Sequence, residues 1–227
     1  MATKRSSTSM RVRTMATSPP PSTLSGEVFG ALINLSGRRR FTSQRLVLFA
    51  VLAARPDPAA LVAAREALTA FRDAHTILVD GSDTMPGIFC EELERVYHGK
   101  EQGHARIMEF VDHAERTLQA IESNFRSVPG LVDELVRYAS TLLPLLNHIT
   151  QVYEELSKRD ALQMKRRMNT MMNDIMMIAK QARMVAFNAQ IVAARAGHAG
   201  REFAVVAGLL SEITGEIDTL VSQAVTQ

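Results

Sequence analysis

The sequence predicts an all-α protein: a four-helix up-down bundle continuing into a long antiparallel coiled-coil hairpin. Three observations carry that prediction. Hydrophobic residues make up 46% of the 227 residues and aromatics only 5%, so the apolar content rests on Ala, Leu, Met and Val. These suit helix-on-helix packing better than a pleated sheet. From Leu24 onward apolar residues recur at helical spacing, with no strand signal. The breaks in that periodicity fall at Pro and Gly clusters between segments long enough to be helices.

Each element follows from that punctuation. A first helix is expected from about residue 24 to Ala54. Arg55-Pro56-Asp57-Pro58 stops it and starts the next, with Asp57 as N-cap and Pro58 at the first helical position. The second helix runs to about residue 79 and is closed by Asp80-Gly81-Ser82-Asp83 and Pro86-Gly87. A third spans about 88–126, with His98-Gly99 as a point of interruption, and Ser127 to Gly130 makes the next turn. A long helical stretch then runs from 131 to Ala196, with a kink expected at Pro144. Gly197-His198-Ala199-Gly200 turns the chain into a last helix that reaches the C-terminus.

Four of these helices, joined by short loops, make the bundle. The fourth continues beyond it, and a helix so long needs a partner to bury its apolar stripe. The returning arm, 201–227, can pair only with about 170–196, so the stretch near 145–168 must pack elsewhere, against a second subunit. A homodimer is therefore expected. The organisation read from the chain is a basic tail (1–23), a four-helix bundle (24–160) and a hairpin (161–227).

Composition excludes several classes. One cysteine, Cys90, rules out an intrachain disulfide framework and a Cys-rich zinc site. The longest apolar run, Leu46 to Ala54, has nine residues, too short for a bilayer, which needs about 20. No signal-peptide core follows the N-terminal basic residues, and a cytoplasmic protein is expected. The net charge of +2 hides an uneven distribution: Lys4, Arg5, Arg11 and Arg13 fall in a Ser/Thr/Pro-rich tail without acids. That tail reads as solvated and disordered, or as a weakly basic tethering arm; no nucleic-acid partner is expected. His75, His98, His104, His113, His148 and His198 show no metal-ligand spacing and read as surface or bundle residues. Cys90 reads as a buried small hydrophobe. The Met164, Met168, Met171, Met172, Met176 and Met177 cluster reads as filler of a core seam or as a plastic docking face. With no phosphate loop, dinucleotide fingerprint or nucleophile–base arrangement, neither an enzyme nor a cofactor is expected.

Two constellations point to function. At 100° per residue, Phe29, Ile33, Gly37, Arg40, Gln44, Val47 and Val51 share one face of the first helix. Arg40 would be desolvated there and cannot escape by losing its proton, so it needs an anion, either a carboxylate of the protein or a bound one. A snorkelling or structurally paired arginine is the alternative. Gly37, one turn earlier, leaves room for close approach, whereas Arg38 and Arg39 read as solvated.

The run Ile33-Asn34-Leu35-Ser36-Gly37-Arg38-Arg39-Arg40-Phe41-Thr42-Ser43-Gln44-Arg45-Leu46 resembles the first-helix motif of the PilJ-type sensor domain. That domain is found in type IV pili chemotaxis transducers and nitrate/nitrite sensor kinases. The resemblance covers about 24–160. It implies that Arg40 contacts a small oxyanion, nitrate or nitrite first, at a dimer interface, with Asn34, Ser36, Gly37 and Gln44 around it. Family members usually face the periplasm; this chain, lacking a membrane span, would sample a cytoplasmic pool.

The second constellation is a small-residue hairpin around Gly197 and Gly200, with Asn188 and Arg195 sharing a heptad position beside its tip. From composition it is either an ordinary helical hairpin or a partner-docking tip. Asn188 through Ala207, with Ile178-Ala179-Lys180-Gln181 upstream, resembles the signalling tip of methyl-accepting chemotaxis proteins. The resemblance covers roughly 175–215. It implies docking of a CheA-type kinase and a CheW-type coupling protein through Asn188, Arg195, Gly197, Gly200, Arg201 and Phe203. Val192 stands where the family has a glutamate, Glu202 replaces a tip glycine, the returning arm is short, and no methylation consensus is found. The reading that results is a dimeric sensor relaying an oxyanion signal to a protein partner. The alternatives are a chemotaxis-array component without its own ligand, and a regulator of nitrate assimilation that sequesters a transcription or antitermination factor.

Overall fold

The computed structural model describes residues 24–55 and 57–225; the basic tail expected over 1–23, and Pro56, lie outside the described residues. Among the described residues there are six α-helices and no strand. They are α1 (Gly26–Ala53), α2 (Pro58–Asp80), α3 (Glu91–His98), α4 (Gly103–Glu122), α5 (Val128–Arg195) and α6 (Arg201–Val225), with a 3-10 turn at Gly197–Gly200 before α6. The fold is all-α. The chain divides into two compact units, Met1–Glu155 and Leu156–Gln227, and α5 is continuous through both. No described helix is long and apolar enough to cross a membrane.

In the first unit α1, α2, α4 and the beginning of α5 form an up-down bundle, whose directions can be read from side-chain pairs. Arg65 and Arg72 on α2 bind Glu122 and Glu115 on α4, so these two run antiparallel. Arg106, Glu109 and His113 on α4 meet Thr141, Tyr138 and Leu131 on α5, a second reversal. Ser36 and Arg40 on α1 meet Thr150 and Asn147 on α5, a third. The core between them is apolar and closed: Leu32, Leu46, Phe71, Leu78, Phe110, Leu118, Leu146 and Ile149 have no exposed surface. Burying each such side chain contributes about 1.5–3 kcal/mol. Phe71 and Phe110 meet edge to face at 5.4 Å. Asp57 caps α2 as its context predicts, its Oδ1 accepting from the Ala59 and Ala60 amides at 3.0 and 3.3 Å.

The interruption expected at His98-Gly99 is present: α3 ends at His98 with Gly99 as its C-cap, and a left-handed Gln102 (φ 48°) precedes α4. The structure corrects several other expectations. The next turn lies before Val128 rather than at 127–130, so Pro129 falls in the first turn of α5, where its missing N–H costs no hydrogen bond. The stretch near 145–168 divides: Leu145, Leu146, Ile149, Tyr153 and Leu156 are buried, and 161–171 is exposed throughout. The Met cluster divides: Met164, Met168, Met171 and Met177 are 41–57% exposed, while Met172 and Met176 are half-buried. Cys90 is half-buried, not buried, at the start of α3.

The largest correction concerns α1. Its buried line is Phe29, Leu32, Ser36, Arg39, Ser43, Leu46, Ala50 and Ala53. From Ile33 onward the predicted face lies one residue further along, about 100° around the helix. Arg39, read as solvated, has no exposed surface, while Arg40 is half-buried and Val51 is exposed. Hydrophobicity misplaced this face because four of its buried residues, Ser36, Arg39, Thr42 and Ser43, are polar. Thr42 and Ser43 turn their hydroxyls onto the Arg38 and Arg40 carbonyls of the preceding turn, at 2.9 and 2.8 Å.

The second unit is a helical hairpin closed by small residues. Ala179, Ala186 and Ala193 on α5, Gly200 at the turn, and Ala207, Thr214 and Val221 on α6 are buried at successive intervals of seven. A seam of that period holds two helices together along one face. Arg183 and Asp218 pair across it at 2.6 Å. Gly197 ends α5 with a left-handed backbone (φ 57°). Gly200 is required for another reason: a Cβ there would collide with the Ala193 carbonyl. Val225 lies seven residues beyond Asp218, so α6 reaches back only to about residue 176 of α5. Gly200→Ala is expected to speed amide exchange across 186–207 at least tenfold while leaving α2 and α4 unchanged. Gly208→Ala, where only the Gln190 side chain approaches, at 4.0 Å, is the silent control.

Candidate functional site

Arg40 stands at the α1–α5 edge of the bundle. Its Nη1 donates to the Asn147 Oδ1 at 3.0 Å, and its Nη2 lies 3.4 Å from where a Gly37 Cβ would be. The side chain folds back over the preceding turn, as helical side chains do, and lies beside Gly37, where an added Cβ would meet it at ordinary contact distance. Its partner is thus an amide on α5 rather than a carboxylate. Of the residues expected around it, Asn34 and Gln44 are exposed on α1, while Ser36 is turned into the core and belongs to Arg39. Asn147, 107 positions away in sequence, gave no local signal.

One residue earlier the chain builds a polar cluster inside the bundle. Arg39 donates from Nη2 to the Ser36 hydroxyl at 3.2 Å and from Nη1 to His75 Nδ1 at 3.1 Å. Ser36 in turn meets the Thr150 hydroxyl at 2.9 Å. A guanidinium can only donate, which fixes the direction of the chain. His75 accepts at Nδ1, carries its proton on Nε2 and donates it to His104 Nδ1 at 3.0 Å. The two imidazoles stack with centroids 5.1 Å apart, and His98 leans on His104 at 5.3 Å. Burial, then the Arg39 charge and the neighbouring histidines, pushes the His75 pKa down to about 3. His75 is therefore neutral. Tyr97 on α3 and Tyr153 on α5 complete the cluster, both without exposed surface. Burial, reinforced by the nearby Tyr97 hydroxyl, pushes the Tyr153 phenol up, and its hydroxyl faces the Leu78 carbonyl at 3.5 Å. None of this was read from the sequence as a site. Its only trace there is the Ser36-x-x-Arg39-x-x-x-Ser43 spacing, a polar line at helical period.

At the hairpin, Asn188, Arg195, Gly197, Arg201 and Phe203 are exposed around the turn, and Gly200 is buried in it. The structure brings them to one end of the hairpin. Phe187 and Phe203 are 61% and 55% exposed there, apolar surface with no cover among the described residues. Along α5 a second line, Met164, Met168, Met171, Ile175, Ile178 and Val185, is also exposed. Its steps of four and three residues are those of a coiled-coil contact face.

Residues 145–223 match the family model of the methyl-accepting chemotaxis protein signalling domain. Searches of curated proteins and of solved structures found no match. The matched segment contains the seven-residue seam, the turn and the exposed tip, so the second unit is similar to a chemoreceptor-type signalling hairpin.

The His75 environment carries a pH signature. The unfolded chain protonates His75 below about pH 6.5, whereas the folded bundle does so only near pH 3, so acid favours unfolding across that window. Stability is full above pH 6.5 and is lost at up to about 1.4 kcal/mol per pH unit below it. In urea unfolding, the wild type is expected to lose about 2 kcal/mol more than His75→Gln between pH 6.5 and 5.0. Equal losses would show that His75 is not held neutral.

Proposed function

We propose that this chain is a dimeric signal transducer whose bundle reads a small oxyanion and whose hairpin passes the state to a CheA-type kinase through a CheW-type coupling protein. The observation that carries the transducer reading is the signalling-domain match over 145–223, which spans the tip and both arms of the hairpin. The exposed line at coiled-coil spacing on α5 supports dimerisation, since burying it takes a second helical surface.

The oxyanion reading rests on Arg40, supported by its geometry. A planar, permanently charged donor sits half-buried at a bundle edge, with an amide rather than a carboxylate as partner. Two copies meeting near this edge would bring two guanidinium groups together. They repel unless an anion lies between them, so anion binding and dimer geometry become one equilibrium. Nitrate and nitrite are planar acceptors that suit the fork. A shift at α1 reaches α5 through Asn147, and α5 runs without a break to the tip.

Calorimetry of the full chain with nitrate and nitrite tests the ligand. Arg40→Ala is expected to weaken nitrate binding roughly thirtyfold, about 2 kcal/mol, as loss of a charge-assisted contact does. Undiminished heat in that variant removes Arg40 from the role. Retention of a CheW-type protein by the full chain, lost in Phe203→Ala, tests the output. Retention without any anion heat would point instead to an array component with no ligand of its own.

A further inference from the structure

Two adjacent helices of the bundle present exposed lines at the spacing of a helix contact. On α1, Arg38, Phe41, Arg45, Leu48 and Leu52 are all exposed, at steps of three and four residues. On α2, Val62, Glu66, Thr69 and Asp73 are exposed at the same steps. Such steps keep each line on one face of its helix, as in a coiled-coil contact. Between the lines runs a groove of about 360 Å³, with Leu35, Ala70, Ala74 and Ile77 as its apolar floor and Arg38, Arg45 and Asp73 among its walls.

The two lines carry opposite charge. α1 has no acid after Glu27, so its line holds only Arg38 and Arg45. The α2 line holds only Glu66 and Asp73, because the arginines of that helix, Arg65 and Arg72, lie off it and bind Glu122 and Glu115 on α4. None of the four line charges makes an ion pair among the described residues. Arg45 rests over the Phe49 ring, 5.4 Å from its centroid, a contact that accepts none of its in-plane hydrogen bonds. In each line the two charges are seven residues apart, about 10.5 Å along the axis.

These signs select what can cover the face. The α1 line against its own copy sets arginine against arginine in either direction, and the α2 line against its own copy sets acid against acid. The α1 line against α2 of a second copy joins opposite charges. The antiparallel register that brings Arg38 to Asp73 of the second copy also brings Arg45 to its Glu66, and Leu48 beside its Val62. Because α1 and α2 run antiparallel within one bundle, a two-fold axis along them produces this arrangement and repeats it, four ion pairs in all. Arg38, Arg45 and Asp73 border one groove, so they stand at the same level, which that axis preserves.

We propose that the α1–α2 face of the bundle is a contact between two copies of this chain, with Arg38 on Asp73 and Arg45 on Glu66 around an apolar strip of Phe41, Leu48 and Val62. The contact belongs to the first unit and is separate from the exposed line of α5. Arg40 lies about 120° around α1 from the middle of this line, so the contact does not rest on the oxyanion reading.

Thiol cross-linking of full chains with Cys90 replaced by serine tests this. Leu48→Cys and Val62→Cys are placed in separate chains with tags of different length, co-expressed, and treated with a short bifunctional thiol reagent. The mixed pair is expected to form. Leu48→Cys, whose thiols face α2 of the other copy rather than each other, is expected not to join to itself. Adding Arg38→Glu and Arg45→Glu to the first chain should lower the mixed yield at least fivefold, and adding Glu66→Arg and Asp73→Arg to the second should restore it. Equal yields in all mixtures, no restoration by the double reversal, or self-joining of Leu48→Cys as ready as the mixed pair would each overturn the proposal. No joining in any mixture would also overturn it and leave the face to a helix of another protein. Circular dichroism checks that each chain keeps its helices; should the double variants not, Arg45→Glu with Glu66→Arg alone decides.

Discussion

A helix with two faces to cover is the constraint on which the rest of this structure depends. α5 spans 68 residues, and within the second unit α6 closes only one of its faces, over less than its C-terminal third. The exposed line from Met164 to Val185 remains uncovered, and residues 161–171 have no cover from the hairpin at all. A helical stretch of this kind draws most of its stability from the surface it packs against rather than from propensity. The fold of one chain thus leaves an apolar helical surface exposed along α5. The seven-residue seam explains why α6 takes one face and leaves the other: alanine and glycine allow the two arms to lie close, while the larger Met and Ile side chains are kept for the wider contact.

The first unit obeys a different logic. Its centre is apolar but threaded by a polar chain running from Thr150 through Ser36, Arg39 and His75 to His104, which joins α5, α1, α2 and α4. Such a chain adds little net stability over well-packed hydrocarbon. It does penalise any register in which its members lose their partners. Arg39 and Arg40, adjacent in sequence, serve opposite ends of this design. One is sealed in and orients the core; the other stands at the edge, within reach of what lies outside.

Much of the architecture was legible in the sequence because its boundaries are written in backbone chemistry. Asp57-Pro58 and Gly197 act locally, and the structure puts helix ends at those residues. The face of α1 was not legible, because Ser36, Arg39, Thr42 and Ser43 line the core and give hydropathy almost no contrast to read. What identifies Arg39 as buried is its contact with His75 and Tyr97, 36 and 58 positions away, and no local pattern carries that information. Asn147 escaped notice for the same reason. The hairpin tip was readable because its small residues sit together in the chain, and the family match falls on that segment.

The account as a whole requires that two copies meet along α5. In a parallel symmetric pair, whose two-fold axis runs along the helices, each residue of the contact line faces its own mate. Disulfide trapping measures this directly, in a background in which Cys90, the chain's one cysteine, is replaced by serine. Ile178→Cys is predicted to form a covalent dimer rapidly on mild oxidation, whereas Lys180→Cys, about 200° around the helix, stays monomeric. Equal trapping at both positions, or none at 178 with the chain sedimenting as a monomer, would contradict the account.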